Sequence, residues 1–456
     1  MTRKSLVLLS WLLVVAFVVG ACASPTAQPT EVATEPPTEV PTEEPTEPAV
    51  DEEPTEVPTE VPTEAAESLG LPAPLDGMTW EEIVAAADGQ EVTWWMWGGS
   101  TIANEWANGW LADKLKEYYN ITMKQVPVSG PTEFINQVRD EKAAGKDTGG
   151  AVDIMWINGE NFRTMKEADL LYGPWAEAVP SGQYYDWSDP ALANDFGYPV
   201  EGYEMPWGSA QSAVVYDSAR LPEPPRDMAA FVQWIKDNPG RFTYPALPDF
   251  TGSLAVRHFC YHAAGGYEPL LGEFDPELFE EEFAACWDLL NELEPYLWRK
   301  GTTYPTGSAE LQDLLANAQI DLYMSYGGAA IKADVDEGIL PETARPYIFE
   351  SGMIGNTNYI AVAYNAAHPA AAVVTANYIT GLEAQFYYRV DMLGSFPPFD
   401  IGTLPPEYQQ KFQDFVEDLG PYTIPPDVRE ERKLPELQAE WLTAIEGAWE
   451  EKVQRQ

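Results

Sequence analysis

The sequence predicts an α/β protein with two lobes in succession. From residue 92 onward, short apolar runs alternate with amphipathic helical patterns, which is typical of sheets whose strands run parallel and are covered by helices. The pattern stops at Pro239-Gly240 and starts again at Phe242. Roughly 390 residues follow the N-terminal segment, which is enough for two substantial cores.

The first half of this region contains three strand and helix pairs. Predicted strands cover residues 92–97, 121–128 and 152–157. A helix follows each of them, the second over residues 131–144 and the third after Asn158, where it buries Phe162, Met165 and Leu170. The first helix has apolar residues on one face at helical spacing: Trp106, Trp110, Leu111, Leu115 and Tyr118.

The second half repeats the arrangement with longer helices. Predicted strands cover residues 212–216, 242–244, 321–325 and 360–363. Predicted helices cover residues 228–237, 253–264, 276–293 and 309–318, the first of which stops before Pro239-Gly240.

The N-terminus has the pattern of an export signal. Arg3 and Lys4 precede an apolar run over residues 6–19, which is short for a membrane-spanning helix. Val19-Gly20-Ala21-Cys22 resembles the lipobox of bacterial lipoproteins, in which the Cys is diacylated and becomes the first mature residue. We therefore expect residues 1–22 to be a lipoprotein signal peptide with lipidation at Cys22; a plain secretory signal is the alternative.

Residues 23–70 are predicted to be a disordered stalk. Pro-Thr-Glu recurs seven times, and the segment has no aromatic residue and no Lys or Arg. Such a composition cannot bury enough apolar surface to offset the entropy of ordering. The stalk would hold the globular part away from a membrane, and its Thr residues are also compatible with glycosylation.

Charge and cysteine content limit the function classes. The net charge is −47, most of it in the globular part, so the chain should repel nucleic acid and anionic lipid. Besides Cys22, only Cys260 and Cys286 are present. Outside the cytoplasm they are free to form a disulfide, and two separate buried thiols fit the sequence equally well.

Five segments combine Gly with small polar residues next to a predicted strand. In open α/β sheets, ligands bind beyond the carboxyl ends of the strands, where helix N-termini offer free N–H groups. Each segment alone could be a capped loop, but five of them in both halves favour a ligand cleft. They cover residues 97–100, 156–161, 248–253, 324–328 and 355–359, the last being predicted as a loop before a strand.

The stretch Asp195-Phe-Gly-Tyr-Pro-Val-Glu-Gly-Tyr-Glu-Met-Pro-Trp-Gly208, with Ala213-Val-Val-Tyr-Asp217, resembles the first lobe crossing of family 1 extracellular solute-binding proteins. These are the capture subunits of bacterial ABC importers. Tyr244-Pro-x-x-Pro-Asp-Phe-Thr-Gly-Ser253 and Ser325-Tyr326 are similar to segments of the relatives that bind thiamine or ferric iron. The resemblance covers residues 90–400.

The resemblance implies a two-lobed, type II periplasmic-binding-protein-like fold, with crossing hinge strands and a ligand cleft between the lobes. Lobe 1 would comprise residues 71–205 with 356–400, and lobe 2 residues 206–355 with 401–456. The protein would be a monomer without cofactor, catalytic residue or metal, and would deliver a small solute to an ABC permease and its ATPase. It would work at the extracytoplasmic face of the membrane through its lipid anchor.

The resemblance also implies the ligand-binding residues, position by position. Aromatic members of the set would stack on the ligand and acidic members would pair with a positive charge. Core packing of Trp97, a hinge role for Glu204 and helix capping by Asp249 are open alternatives. The set comprises Trp97, Gly98, Gly99, Ser100, Asn158, Gly159, Glu160, Asn161, Tyr203, Glu204, Trp207, Asp249, Thr251, Gly252, Ser253, Ser325, Tyr326, Asn356, Asn358 and Tyr359.

Other function classes fit less well. An exported hydrolase acting on carbohydrate would use Glu160 and Glu204 as its paired carboxylates. A ferric-iron variant of the same fold would need paired tyrosines, and no adjacent pair follows a strand in the later half. His258 and His262 have a zinc-compatible spacing, but we interpret them as residues of a packed helix. We expect no enzymatic activity and a cationic, partly planar ligand such as thiamine.

Overall fold

The computed structural model describes residues 67–326 and 330–454, which belong to one compact unit. The predicted signal peptide, Cys22 and the stalk up to residue 66 lie outside these ranges. Within the described ranges, no helix combines the length and the apolarity needed to cross a membrane.

Most strands are short. In order they are β1 (Glu91–Trp97), β2 (Thr122–Val128), β3 (Ile154–Ile157), β4 (Leu171–Tyr172), β5 (Asn194–Asp195), β6 (Tyr198–Pro199), β7 (Glu204–Gln211), β8 (Ala213–Asp217), β9 (Leu322–Ser325), β10 (Ala344–Tyr347), β11 (Met353–Ala363) and β12 (Lys433–Leu434). The two longest are β7 and β11.

The helices cover both sheets. In order they are α1 (Trp80–Ala87), α2 (Thr101–Trp106), α3 (Ala112–Tyr119), α4 (Thr132–Ala143), α5 (Glu160–Glu167), α6 (Pro190–Ala193), α7 (Met228–Asp237), α8 (Phe250–Ala264), α9 (Pro276–Leu293), α10 (Ser308–Ala316), α11 (Ile331–Asp336), α12 (Pro369–Ile379), α13 (Leu382–Gln385), α14 (Pro406–Leu419), α15 (Pro426–Glu431) and α16 (Ala439–Trp449). A π-helical turn over Ala107–Leu111 joins α2 and α3.

The first lobe is built on a seven-stranded sheet. Strand β1 lies between β2 and β3 and is parallel to both, and β3 pairs antiparallel with β11. Its two faces carry separate apolar clusters, one containing Trp94, Trp106 and Trp207 and the other containing Phe162 and Met165.

The second lobe is built on a three-stranded sheet in the order β10, β8, β9. Both neighbours of β8 run antiparallel to it, so the prediction of parallel strands is wrong for this sheet. Strand β7 leaves the first lobe and is followed directly by β8. Strands β9 and β10 pair with β8 on its two sides. Helices α7, α8 and α9 pack on one face of the sheet through a cluster that includes Phe231, Phe259 and Phe283.

Two long strands cross between the lobes. Strand β11 pairs antiparallel with β7, with Asn358 opposite Gly208 and Gly355 opposite Gln211. Its first residues pair with β12, and its last residues lie against β3 in the first sheet. The two-lobed α/β prediction with crossing strands is therefore confirmed.

Individual elements depart from prediction at two places. Residues 242–244 form no strand, because Phe242 and Tyr244 are held by packing against Phe259 rather than by pairing to a sheet. The segment 355–359, predicted as a loop, is the middle of β11, because β7 supplies the partners for its backbone.

The C-terminal segments pack on different cores. Phe412 of α14 joins the core of the first lobe, whereas Trp441 and Trp449 of α16 join that of the second. A disulfide links Cys260 of α8 to Cys286 of α9. The exact lobe boundaries stay a prediction.

Candidate functional site

A small group of aromatic and amide side chains lies at the ends of β1 and β3 in the first lobe. Trp97, at the end of β1, is 49% exposed and makes an edge-to-face contact with Trp156 at 6.4 Å between ring centroids. Asn358 of β11 accepts hydrogen bonds at its Oδ1 from Trp156 Nε1 at 3.3 Å and from Asn158 Nδ2 at 3.5 Å. The structure thus brings Trp97, Asn158 and Asn358 to one place.

The glycines after β1 allow Trp97 to take this position. A Cβ at residue 99 would lie 2.1 Å from the Trp97 ring, and a Cβ at residue 98 would lie 2.8 Å from Pro127 Cβ. Ser100 accepts a hydrogen bond from the Ala103 N–H at 3.2 Å and so caps α2. Gly98, Gly99 and Ser100 therefore shape the backbone under Trp97.

The loop before α5 is held by an aspartate that the site prediction missed. Gly159, at φ +61°, donates its N–H to Asp195 Oδ2. Asn161 donates to the Asn158 carbonyl at 3.3 Å. Glu160 is exposed and accepts a hydrogen bond from Thr164 at 3.1 Å, so its carboxylate is engaged with its own helix.

The predicted site residues 249–253 of the second lobe lie at the start of α8. Asp249 caps this helix by accepting hydrogen bonds from the N–H groups of Thr251 and Gly252 at 2.9 and 3.0 Å. Phe250, which the site prediction did not include, is 46% exposed and stacks on Tyr326 at 4.8 Å.

The residues around the Asp249 cap are closely packed. The Thr251 hydroxyl is 2.7 Å from the hydroxyl of Ser308. A Cβ at Gly252 would lie 2.3 Å from the Pro245 carbonyl oxygen. Ser253 and Ser325 are buried, the latter at the end of β9.

Tyr326 belongs to a buried polar group in the second lobe. Its hydroxyl donates to Glu436 at 2.8 Å and accepts from Arg257 Nη2 at 3.1 Å, while Arg257 also forms an ion pair with Glu436. Burial and the charge of Glu436 raise the pKa of Tyr326 well above its ordinary value. Arg257 and Glu436 have no sequence motif that marks them, since their partners are distant in sequence.

A cavity of about 230 Å³ lies between the two lobes beside β11, and we call it the interlobe cavity. Asp195 comes from the first lobe, Gly355, Thr357 and Tyr359 from β11, and Glu436 from the second lobe. Asp195 is 1% exposed, and its Oδ1 has no hydrogen-bond partner within the described residues. Burial raises the pKa of Asp195 well above its ordinary value, as does the charge of Glu436, although the Gly159 N–H opposes them.

Three residues of the predicted set lie inside the first lobe. Trp207 is buried against Trp94 and Trp156. Tyr203 contacts the ammonium group of Lys166, which lies 5.2 Å from its ring centroid. Glu204 is fully buried, and neither carboxylate oxygen has a partner among the described residues.

The remaining predicted residues belong to β11. Asn356 is buried, with no partner for its Nδ2 within the described part of the chain. The Tyr359 hydroxyl donates to backbone carbonyls of the segment 191–194, the nearest being Leu192 at 3.1 Å. Tyr359 therefore ties β11 to that segment and lines the interlobe cavity with its ring.

The described residues contain no group of three or more His, Cys, Asp or Glu side chains close enough to hold a metal ion. His258 is buried in α8, and burial together with the charge of Arg257 lowers its pKa to about 3. This agrees with our interpretation of His258 as a residue of a packed helix.

Comparison with known proteins gives consistent matches. Residues 110–413 match the family model of bacterial extracellular solute-binding proteins. Protein YnjB of Escherichia coli K12 is 34% identical over 371 residues, which cover 81% of this chain and 92% of that protein.

Solved structures of similar fold are more distant in sequence. The spermidine/putrescine ABC transporter substrate-binding protein PotD of Streptococcus pneumoniae has a TM-score of 0.55 at 12% identity, covering 80% of this chain and 99% of that chain. A periplasmic thiamin binding protein has a TM-score of 0.50 at 15% identity, with coverages of 80% and 95%. The apo ferric ion-binding protein A of Pasteurella haemolytica has a TM-score of 0.52 at 14% identity, with coverages of 79% and 97%. By its family match and its identity to YnjB, the chain belongs to the bacterial extracellular solute-binding proteins.

Proposed function

We propose that this protein captures a small cationic solute between its lobes and delivers it to an ABC permease and its ATPase. The observation that carries the proposal is the interlobe cavity, in which the buried carboxylate of Asp195 has an oxygen without a partner among the described residues. Burial raises the pKa of Asp195 because one oxygen of its ionised form has no partner in the described part of the chain, and an ammonium or amidinium group of a ligand would stabilise that ionised form.

Exposed aromatic side chains support a ligand with a planar or cationic part. Trp97 in the first lobe and Phe250 in the second are both about half exposed, and each contacts one half-buried aromatic residue. Aromatic faces attract cations and stack on planar rings. The polyamine and thiamin binders of similar fold are in keeping with such a ligand, and thiamine is our first choice.

The crossing strands support a hinge mechanism. Strands β7 and β11 pass from one lobe to the other as a pair, and a few residues in such strands absorb rotation when two domains close on a ligand. A ligand that contacts both lobes favours the closed form, which the permease would recognise.

The N-terminus supports attachment to the membrane that holds the permease. Cys22 follows a lipobox-like sequence, and two acyl chains provide stable anchoring. We expect the Cys22→Ser variant to leave the membrane fraction for the soluble exported fraction, while the wild type stays with the membrane. Retention of Cys22→Ser in the membrane would contradict a lipid anchor.

The capture proposal is tested by calorimetric titration of purified protein with thiamine, spermidine, putrescine and an uncharged sugar. We expect one-to-one binding of a cation and none of the sugar. Asp195→Asn keeps an acceptor for the Gly159 N–H but removes the charge, so it should weaken binding of that cation by about tenfold or more.

An exposed acid provides the control. Glu337→Gln changes the net charge equally but lies at the surface of α11 and its following turn, so affinity should be unchanged. Equal losses of affinity in both variants would show that Asp195 acts only through its long-range charge and does not contact the solute. Binding of the sugar in place of every cation, or binding of none of the three cations, would overturn the proposal.

A further inference from the structure

A second cavity, of about 430 Å³, lies on the other side of the segment 189–192, and we call it the hinge-side cavity. It shares no lining residue with the interlobe cavity. Its walls come from the segment 396–402 of the first lobe, from Ser209 to Gln211 of β7, and from residues 426–433 before and within β12. A volume of this size suits a small organic ligand.

Arg429 is the main charged group of this cavity. Its guanidinium carbon lies 4.6 Å from the ring centroid of Phe396, another lining residue. Within the described ranges, no carboxylate oxygen lies within 4.0 Å of the guanidinium nitrogens, the distance that defines an ion pair. Burial lowers the pKa of Arg429 to about 10, against the charge of Glu430, which raises it.

The acidic residues of the lining are engaged elsewhere or exposed. Asp189 pairs with Lys433 at 3.0 Å. Asp186 accepts from the Ser188 hydroxyl and N–H, and Asp400 accepts from the Gly402 N–H at 3.0 Å. Asp427 and Glu430 are exposed at the surface. The positive charge of Arg429 is therefore not neutralised by a direct partner from these groups.

The rest of the lining limits the kind of anion. Its apolar wall consists of Leu192, Phe396, Pro397, Pro398, Phe399 and Phe412. A guanidinium group matches the two oxygens of a carboxylate, and an aromatic wall favours a planar apolar body. The surrounding acids penalise a dianion such as phosphate more strongly than a monoanion.

We propose that the hinge-side cavity binds a small aromatic carboxylate, with the carboxylate on Arg429 and the ring against Phe396 and Phe399. This site is separate from the one proposed for the solute and does not depend on it.

The test uses three probes of matched shape, namely phenylacetate, phenylacetamide and phenethylamine, titrated into the full exported chain and followed by ligand-observed NMR. We expect phenylacetate to bind about tenfold or more tightly than the amide, and the amine not to bind in this cavity, because only the carboxylate pairs with a guanidinium. The comparison among probes on wild-type protein does not depend on the folding of any variant.

Two variants locate the site. Arg429→Gln should bind phenylacetate no better than phenylacetamide. Arg226→Gln removes a similar arginine, which lies 4.6 Å from the Tyr347 ring and outside both cavities, and should keep the wild-type preference. Equal binding of acid and amide, no binding of phenylacetate, or an unchanged preference in Arg429→Gln would each overturn the proposal, and none of these outcomes bears on solute capture.

Discussion

Asp195 and Glu204 are two acidic side chains that the fold encloses near the crossing strands. Burial raises the pKa of Glu204 well above its ordinary value, and so does the negative charge of Asp195, while Lys166 opposes them. Neither oxygen of Glu204 has a hydrogen-bond partner within the described residues. The folded protein therefore favours the protonated form of this carboxyl group.

This burial predicts a pH dependence of stability. Above the ordinary carboxyl pKa of about 4.3, the unfolded chain releases a proton that folded Glu204 retains, so the free energy of unfolding falls as pH rises. Glu204→Gln cannot titrate and should lose less stability than the wild type between about pH 5 and pH 8. Denaturant unfolding at both pH values measures the difference.

The control for this experiment is Glu223→Gln, at an exposed position. It should retain the wild-type loss of stability over the same pH interval. A Glu204→Gln protein whose stability follows the wild-type curve would mean that Glu204 is ionised in the folded state.

Single residues of the site were predictable where they follow a strand end. Trp97, Asn158 and Tyr326 lie at or just after the ends of predicted strands in this way, and their contact with a ligand stays a prediction. Trp207 and Glu204 come from a recognisable motif, but a motif does not show which side of β7 each residue takes. Glu436 and Arg257 could not be found, since their contact joins residues far apart in sequence.

Helix α8 is the element that connects most features of the second lobe. It begins with the Asp249 cap, presents Phe250 to solvent, holds Arg257 against Glu436 and is fixed to α9 by the disulfide. The sequence pattern predicted the last residue of this helix correctly. It placed the first residue at Ser253, three positions after the observed Phe250, because Gly252 and Ser253 are typical of loops. The cap at Asp249 and the tight contact of Gly252 with Pro245 explain the earlier start.

The disulfide between α8 and α9 should be a measurable source of stability. The two cysteines are separated by 26 positions in the sequence. A disulfide that closes a loop of this length raises the free energy of unfolding by about 3 kcal/mol. Replacing both cysteines by serine should lower the free energy of unfolding by about that amount in denaturant titrations.

Reductant offers an independent check on the same loss. Wild-type protein unfolded with and without dithiothreitol should show the same difference, and the double serine variant should not respond to dithiothreitol. If wild-type protein proves insensitive to reductant, the two helices are held by packing alone.

Strand β11 shows where prediction from pattern ends. Its polar run over residues 355–358 has the composition of a loop, and only the apolar residues 360–363 were predicted as a strand. Pairing with β7 satisfies the backbone of the polar half, so tertiary contacts override the local composition.

At the scale of the whole molecule, ion pairs join the two lobes, and the pair of Arg163 with Glu440 is one of them. Arg163 of α5 contacts Glu440 of α16, and it also contacts Glu167 within its own helix at 3.0 Å. If the closed form keeps the two lobes in this arrangement, the Arg163–Glu440 contact should contribute to solute affinity. The Arg163–Glu167 contact lies within one helix and should not contribute.

Glu440→Gln therefore should weaken capture of the solute identified by titration by up to about fivefold, which corresponds to a partly exposed ion pair of about 1 kcal/mol. Glu167→Gln is the matched control and should leave affinity unchanged. Small-angle scattering of both variants with saturating solute measures closure. Full affinity and the wild-type scattering change in Glu440→Gln would show that this contact does not support the closed form.

The path of the chain through the first lobe also determines the order in which the two sheets can be completed. Strand β11 fills the place between β3 and β7, yet the entire sheet of the second lobe precedes it in the chain. A chain that emerges from its N-terminus lacks Ile360 and Val362 in the core of the first lobe until residue 363 has appeared. A chain that folds as it emerges can therefore complete the second-lobe sheet before the first-lobe sheet, although the first lobe begins earlier in the sequence.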